Sequence, residues 1–455
     1  LSTMSKELTG LFTILAPNHR LPLSGNKLWI WAILLFVVAC SPATKLTKTE
    51  VKQLPEKQEV TKADSLATKK AEEATDPSKN KKEETEVVGE KKADNNAAPA
   101  KKYNHYDVAV VLPFSEYAGN ERFLQYYGGM KLAAEELALE GHDFTIRVYN
   151  AEESAVLDQL AQDESKLIFA PSDENLLKQM VDLGKSKNAT VVSPFFSLSS
   201  IENAPSFIQL KPSLKSHFSS ITKHVLSHYN ANEVVLVGRN TKSDKAWFKY
   251  FQTTAAEISG QPLEKIFTEY WVLEDSLSLG SRVFYDLIES GKNVFVFPNY
   301  SYKDELYLYN AMRRLLAEKG SYPVTVYGMP ILKDSEKMGF DFFSGLNVHI
   351  PASRYVEEFR EEVKSFDRKF FDHFGALPET DAYEGFDHML FIGRHLSEYG
   401  ESFAPYLSTD NGQYLHSKFD VRAAHTEGSA SEIDYFENKY LEMLRFDGTR
   451  FVKAY

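Results

Sequence analysis

The run Val108-Ala109-Val110-Val111-Leu112 decides the fold class of this chain. Five consecutive apolar residues are typical of a short strand that is buried on both faces, and Pro113 ends the run. A helix is predicted over residues 122–140, because apolar residues recur there at helical spacing and Gly141 can close the last turn. A doubly buried strand followed by an amphipathic helix predicts the start of a βαβ unit, and therefore a parallel sheet.

The alternation of strand and helix continues through two halves of similar size. Strands of the first half are predicted at residues 144–149, 167–170 and 190–192, with helices at 154–164, 173–186 and 213–229. Strands of the second half are predicted at residues 233–237, 265–271, 293–297, 324–327 and 346–350, with helices at 243–258, 280–290 and 303–318. Such regular alternation indicates an α/β chain with two Rossmann-like lobes.

Two amphipathic helices and a strand pair are predicted after the second half. The helices cover residues 356–374 and 386–396, and we expect them to return to the first lobe because two complete sheets precede them. The tail, residues 434–455, is predicted to form a strand pair. The sequence thus predicts two lobes with parallel sheets joined by crossover hinges. Lobe 1 spans about residues 103–229 plus about 352–400, and lobe 2 spans about residues 230–351 plus the C-terminal tail.

A short apolar run precedes Cys40, which is the one cysteine of the chain. Residues 28–39 are all apolar and follow Lys27, and this length is typical of a signal-peptide core, whereas a membrane-spanning helix needs about twenty residues. The run ends in Val37-Val38-Ala39-Cys40, which resembles a lipobox. The resemblance implies a cleaved signal peptide over residues 1–39 and a lipid, such as palmitate, on Cys40. An uncleaved anchor helix is the alternative.

The residue after the lipobox cysteine bears on localisation. In lipoproteins of double-membrane bacteria, a serine there permits sorting to the outer membrane, and this chain has Ser41. The resemblance therefore implies an outer-membrane lipoprotein that faces the periplasm. Between Ser41 and Lys102 the chain has no Phe, Trp or Tyr and is rich in Lys and Glu, so residues 40–102 are predicted to form a disordered tether that carries the lipid.

Composition limits the class of partner and of chemistry. The net charge is −12, and an acidic protein repels phosphate backbones, so nucleic acid is not expected as a partner. One cysteine allows neither an internal disulfide nor a Cys-x-x-Cys metal site. No nucleophile elbow and no His-Glu-x-x-His motif is present, and we therefore expect neither an enzyme nor a cofactor. His217, His224 and His228 share a predicted helix face, but they are interpreted as a polar face and not as a metal site.

Four local patterns from the folded part resemble those of one family. They are Tyr127-Gly128-Gly129-Met130-Lys131-Leu132-Ala133-Ala134-Glu135-Glu136, Ile168-Phe169-Ala170-Pro171-Ser172, Val191-Val192-Ser193-Pro194, and Phe374-Gly375-Ala376-Leu377-Pro378 with Tyr383-Glu384-Gly385-Phe386-Asp387. In this order they resemble the type I periplasmic binding proteins, the branched-chain amino acid binding group. The resemblance covers about residues 105–455 and implies two lobes that close on a ligand.

Polar residues follow the predicted strands, where an open α/β sheet binds its ligands. The candidates for ligand binding are Ser115, Asn150, Ser172, Ser193 and Ser197 in the first lobe, and Arg239, Asn299 and Tyr300 in the second. In amino-acid-binding relatives, serines of the first lobe grip the carboxylate, and Ser172, Ser193 and Ser197 fit that role by position. The alternative is that these serines are helix caps and turn residues.

Two classes of function remain open from the sequence. The first is a solute-binding protein whose lobes close on a small polar ligand, such as an amino acid or a peptide. The second is an envelope scaffold or regulatory lipoprotein that uses the same fold to bind a cell-wall or outer-membrane protein, since a fold does not fix its function. The strand-end serines favour the first class, and the long tether favours the second.

Replacing Cys40 by serine should block lipidation and leave an uncleaved or mislocalised precursor, because the hydroxyl cannot take the place of the thiol that the lipobox presents. Metabolic labelling with a palmitate analogue measures the effect. Label that persists on the Cys40→Ser chain would contradict the lipobox assignment.

Overall fold

A computed structural model describes residues 102–115, 119–170, 173–198, 201–262, 265–278, 282–410, 412, 414–416, 418–425 and 432–454. Cys40, the predicted signal peptide and all of the predicted tether except Lys102 lie outside the described residues. Among the described helices, none is long and apolar enough to cross a membrane.

The described residues form fourteen strands in two sheets. The strands are β1 (His105–Leu112), β2 (Asp143–Asn150), β3 (Leu167–Phe169), β4 (Thr190–Ser193), β5 (Phe207–Gln209), β6 (Val234–Gly238), β7 (Thr268–Trp271), β8 (Val294–Phe297), β9 (Thr325–Gly328), β10 (Val348–Ala352), β11 (Val421–His425), β12 (Ile433–Asn438), β13 (Glu442–Phe446) and β14 (Phe451–Lys453). The first sheet has the order β11-β12-β5-β4-β3-β1-β2, and the second has the order β14-β13-β10-β9-β8-β6-β7.

Twelve α-helices lie between or after these strands in the described part of the chain. They are α1 (Glu121–Leu139), α2 (Val156–Gln162), α3 (Glu174–Lys187), α4 (Leu214–His228), α5 (Lys242–Ser259), α6 (Glu274–Ser278), α7 (Tyr285–Glu289), α8 (Glu305–Glu318), α9 (Ile331–Asp334), α10 (Phe340–Gly345), α11 (Glu361–Phe374) and α12 (Thr380–Tyr399).

Each sheet is parallel in its centre and antiparallel only at its C-terminal additions. Strands β1 to β5 pair in parallel, as do β6 to β10. The central strands are almost completely buried on both faces, whereas the edge strands β2 and β7 are mostly half-buried. This burial is what the uninterrupted apolar runs predict. Strands β11 and β13 add in antiparallel fashion, next to β12 and β10 respectively. The prediction of two Rossmann-like lobes is confirmed.

The chain crosses between the two sheets three times. Residues 210–213 connect β5 to α4, residues 353–360 connect β10 to α11, and residues 439–441 connect β12 to β13. After the second crossing, α11 and α12 pack against α1 of the first lobe.

The lobe boundaries differ from the prediction at two places. Helix α4 was expected in lobe 1, but Phe218, Ile221 and Val225 on its apolar face pack into the core of the second sheet. The tail was expected in lobe 2, and only β13 and β14 lie there, because β12 pairs in parallel with β5 of the first sheet. Strand β5 itself was not predicted, since three residues give too short a pattern to stand out from a loop.

Two glycines allow α1 and α12 to touch backbone to backbone. A Cβ placed on Gly129 would lie 1.9 Å from the carbonyl oxygen of Ala382, and one placed on Gly385 would lie 1.9 Å from that of Tyr126. Real Cβ atoms do not approach this closely, so any larger residue must push the helices apart. The two glycines therefore fix the position of α12 against α1 in the first lobe, and with it the position of every side chain that α12 carries.

Replacing Gly385 by alanine should lower the free energy of unfolding by about 3 kcal/mol or more, because the added methyl collides with backbone atoms that no rotamer change can move. Chemical denaturation monitored by circular dichroism measures the change. Gly339→Ala is the matched control, since Gly339 has open space around its Cβ position and a φ of −110°. Equal stability of the two variants would contradict the close helix contact.

Candidate functional site

The carboxyl ends of the parallel strands in both lobes point toward the crossover segments. Strand β5 leaves the first sheet at its carboxyl end and enters the crossover to the second lobe, and β10 leaves the second sheet in the same way toward the first. All strands parallel to β5 or to β10 share that direction. Loops that follow these strands therefore form the two facing edges of an interlobe cleft, where ligands of open α/β sheets bind.

In the first lobe, the predicted polar residues are bonded within the lobe. The backbone N–H of Ser115 donates to Glu152 Oε2 at 2.8 Å, and its hydroxyl donates to the same carboxylate. Asn150 Oδ1 accepts from the backbone N–H of Glu152 at 3.1 Å. The hydroxyl of Ser193 is buried and donates to the carbonyl of Phe196 at 2.7 Å. Ser197 is half-buried, and Ser172 lies outside the described residues.

Aromatic side chains pack beyond the end of β4. Phe195 is buried, with its ring centroid 5.2 Å from Phe123 and 4.6 Å from Tyr126. The guanidinium of Arg122 lies 5.4 Å from the ring centroids of both Phe123 and Phe195. Phe195, two residues after Ser193, is therefore part of an aromatic cluster of the first lobe.

In the second lobe, Arg239 is held by carboxylates of its own lobe. Its Nη2 donates to Asp304 at 2.6 Å and its Nη1 to Glu274 at 3.2 Å, while the guanidinium lies 4.8 Å from the ring centroid of Tyr307. Asn299 is fully buried, with its Nδ2 3.5 Å from Asp304 Oδ2. Arg239 Nε and Asn299 Oδ1 have no hydrogen-bond partner, but both atoms are buried, so an incoming ligand reaches neither of them unless the surrounding side chains rearrange.

Large apolar side chains are exposed at the same strand ends. Phe114 follows β1 and is 54% exposed, Leu273 follows β7 and is 64% exposed, and Tyr300 and Tyr302 follow β8 with exposures of 49% and 70%. These four residues are called the rim residues below. Among the predicted site residues that the structure describes, Tyr300 is exposed and packs edge-on against Trp247. Phe114, Leu273 and Tyr302 were not predicted, because polar and not apolar side chains were taken as the sign of a ligand site after a strand.

An acidic concavity of about 480 Å³ opens at the carboxyl ends of β1 and β2. Its lining includes the exposed carboxylates of Glu152, Glu153 and Asp173 together with Pro113 and Ala151. Carboxylates in an open concavity can accept hydrogen bonds from an ammonium group. The first lobe thus has an acidic concavity at the strand ends, where Phe114 also lies.

The three histidines of α4 do not converge on one point. The rings of His224 and His228 stack with centroids 4.1 Å apart, and Nδ1 of His224 lies 2.8 Å from the hydroxyl of Tyr327. Nδ1 of His217 lies 2.9 Å from the carbonyl of Ser213. Burial, helped by the neighbouring His228, lowers the pKa of His224 to about 4, so this imidazole is neutral at physiological pH. These residues serve packing and form hydrogen bonds within the helix and to Tyr327 of β9.

A buried polar network next to the second crossover was not predicted. Arg354 Nε donates to Glu384 Oε1 at 2.7 Å, and Arg122 Nη2 donates to Asp381 Oδ1 at 2.7 Å. Burial, together with the charges of His416 and Arg354, lowers the pKa of His388 well below its usual range, and burial also raises that of Tyr126. Residues 383–387 were noted only because they resemble a family pattern. The signal that could have predicted this network is the spacing of Glu384 and His388, which are four residues apart and share one helix face.

Comparisons with known proteins find similarity at the level of structure. No family model matches the sequence, and no curated protein is significantly similar to it. A branched-chain amino acid ABC transporter protein from Rhodospirillum rubrum has a TM-score of 0.55 at 14% identity, over 77% of this chain and 100% of that one. A periplasmic ligand-binding protein of a branched-chain amino acid ABC transporter from Burkholderia xenovorans has a TM-score of 0.51 at 12% identity, over 77% and 94%.

A third similar structure belongs to a protein of another kind. The C-domain of LpoA from Haemophilus influenzae, a regulator of PBP1A, has a TM-score of 0.51 at 12% identity, over 77% of this chain and all of that one. Solute-binding proteins and a regulator thus share this architecture of two crossed α/β lobes. The chain has the fold of the type I periplasmic binding proteins.

Proposed function

We propose that this chain is a non-enzymatic binding protein of the cell envelope that takes a peptide-like ligand in the interlobe cleft. A lipid on Cys40 would hold it in the outer membrane, and the two lobes would face the periplasm at the end of the tether. The observation that carries the proposal is the exposure of the rim residues at the strand ends of both lobes.

At the strand ends, an exposed aromatic side chain can contribute more free energy to ligand binding than a serine that is already hydrogen-bonded. Ser193 would have to give up its bond to Phe196 to bind a ligand, and exchanging one hydrogen bond for another gains little. Burying a half-exposed Phe114 or Tyr300 against a ligand contributes on the order of 1–2 kcal/mol each. The cleft therefore favours a ligand with apolar side chains over a free amino acid held mainly by its carboxylate.

The carboxylates near the rim residues favour a ligand that carries an amino group. Glu152 and Glu153 are exposed in the concavity of the first lobe, and both can accept hydrogen bonds from a free amino terminus. A short peptide supplies such an amine together with apolar side chains. Its carboxylate would need a separate partner, because Arg239 is already neutralised by Asp304 and Glu274.

A second candidate function is that of a scaffold or regulator that binds an envelope protein. Its support is the tether between Ser41 and Lys102, whose root-mean-square span would be roughly 40–50 Å if the chain is flexible. A long reach suits a protein partner at a distance from the membrane. Exposed Phe340, Phe359 and Leu377 offer apolar contacts outside the strand ends, and the similarly folded LpoA domain regulates another protein.

The double variant Phe114→Ser/Tyr300→Ser should weaken binding of whichever di- or tripeptide the native chain binds by roughly tenfold or more, because it removes the apolar surface that the ligand covers. A peptide panel is first screened by thermal shift, and the affinities of the positive peptides are then measured by calorimetry. Phe340→Ser, which removes a similarly exposed ring at the start of α10, is the matched control and should leave the affinity unchanged.

A third variant separates this proposal from a serine clamp. Ser172→Ala/Ser193→Ala should keep most of the peptide affinity, whereas a site in which these hydroxyls grip a carboxylate should lose it. The proposal of an apolar ligand contact would be wrong if Ser172→Ala/Ser193→Ala lost peptide binding while Phe114→Ser/Tyr300→Ser kept it. If no peptide, amino acid or wall fragment shifts the melting temperature of the native chain, the scaffold function is favoured instead.

A further inference from the structure

Three buried side chains with metal-binding atoms meet beside the crossover segments. Glu384 and His388 lie one turn apart on α12, and His416 reaches the same point from the chain that follows this helix. One ligand atom from each lies within 4.8 Å of the other two, and all three residues are buried. A carboxylate with two imidazoles is the donor set of many three-ligand zinc sites.

A separate group orients each of these three side chains. Glu384 Oε1 accepts from Arg354 Nε at 2.7 Å, and Nδ1 of His388 lies 3.2 Å from the hydroxyl of Tyr126. Nδ1 of His416 is hydrogen-bonded to the carboxylate of Asp387. Metal-binding histidines typically use their second nitrogen in this way, and the bond leaves Nε2 as the atom that would face a metal.

An unpartnered oxygen points independently to a missing ligand. Glu384 Oε2 has no hydrogen-bond partner although the side chain is only 7% exposed. A buried carboxylate oxygen without a donor is costly, and a bound cation would compensate it. Glu384, His388 and His416 also line a cavity of about 10 Å³, which is close to the space that one water molecule or ion occupies.

We propose that Glu384, His388 and His416 bind a divalent transition metal, with zinc as the best fit to two imidazoles and a carboxylate. The site lies within the first lobe and is independent of the ligand proposed for the interlobe cleft. Three protein ligands leave a fourth position that a water molecule can take. Tetrahedral bonds of 2.0–2.1 Å bring ligand atoms to about 3.3 Å from each other, so binding draws the three side chains together by rotation.

The charges around the site are compatible with a dication. Asp381, Glu384 and Asp387 bring three negative charges, while Arg122 and Arg354 bring two positive ones. With neutral imidazoles the group has a net charge of −1 before metal binding. Lys211 also lines the cavity, and burial, followed by the charge of Arg354, lowers its pKa. A protonated Lys211 brings the net charge of the group to zero before metal binding.

The position of the site gives the metal a mechanical role. Its cavity is lined by Lys211 of the first crossing, by Arg354 of the second, and by Asn438, the last residue of β12 before the third. A metal that ties α12 to His416 would therefore stiffen the part of the first lobe on which the crossovers rest. Binding should raise the melting temperature by mass action, since the unfolded chain has no preformed site.

The test uses the full chain, stripped with a chelator and then dialysed against Zn²⁺. We expect about one zinc per chain by elemental analysis and visible absorption bands of tetrahedral Co²⁺ when cobalt replaces zinc. His388→Gln and Glu384→Gln should each lower the zinc affinity at least tenfold, and Tyr126→Phe, which removes only the orienting hydroxyl, by about tenfold. His224→Gln is the matched control, because His224 is a partly buried histidine in the second lobe.

Three results would overturn the site. They are less than a tenth of a zinc per chain after dialysis, an unchanged affinity in Glu384→Gln, and a loss in His224→Gln equal to that in His388→Gln. Should His388→Gln fail to fold by circular dichroism, Glu384→Gln and Tyr126→Phe decide the question. Retained zinc in both of these variants would place the metal elsewhere.

Discussion

The backbone contact between α1 and α12 is the constraint on which the first lobe depends. Gly129 and Gly385 bring the two helices closer than any other residue pair at these positions allows. Helix α12 lies some 250 residues after α1 in the chain, so this contact attaches a late segment of the chain to the first lobe. The same contact brings side chains of the two helices together. Asp381 of α12 accepts a hydrogen bond from Arg122 of α1, and His388 of α12 lies within hydrogen-bond distance of Tyr126 of α1. Glu384 lies between Asp381 and His388 on α12.

The strand ends show a division between paired polar groups and exposed apolar ones. Ser115, Ser193 and Arg239 find partners within their own lobes, as buried or half-buried polar groups usually do. Phe114 and Tyr300 remain open to solvent beside them. Single exposed apolar residues are normal on a protein surface, and the proposed contact surface rests on the occurrence of several at the strand ends of both lobes.

The sequence was sufficient for the parts of the fold that depend on periodicity. Runs such as Val108–Leu112 and Val234–Val237 are buried on both faces, and they identify a parallel sheet without further information. Strand β5 and the division of the tail between the sheets could not be predicted, since β5 has only three residues and β12 depends on its pairing with β5. Sheet pairing between distant segments leaves no periodic mark on the sequence.

The sequence identified the polar residues that follow the strands but not the partners that these residues have in the fold. The acceptor of the Ser193 hydroxyl is the carbonyl of Phe196, which only the folded loop brings within reach. Likewise, Glu384 and His388 could be placed on one helix face by their spacing, but the arrival of His416 depends on the path of the chain after α12. Side chains from separate segments meet for reasons that local patterns do not contain.

The three crossings have a consequence for the order in which the molecule is built. The first sheet receives β12 and the second receives β13 and β14 from the last part of the chain. A growing polypeptide therefore cannot finish one lobe and then begin the other, as a chain of two consecutive domains does. Both lobes depend on strands that lie after residue 432, so neither lobe can be completed before that segment has been synthesised.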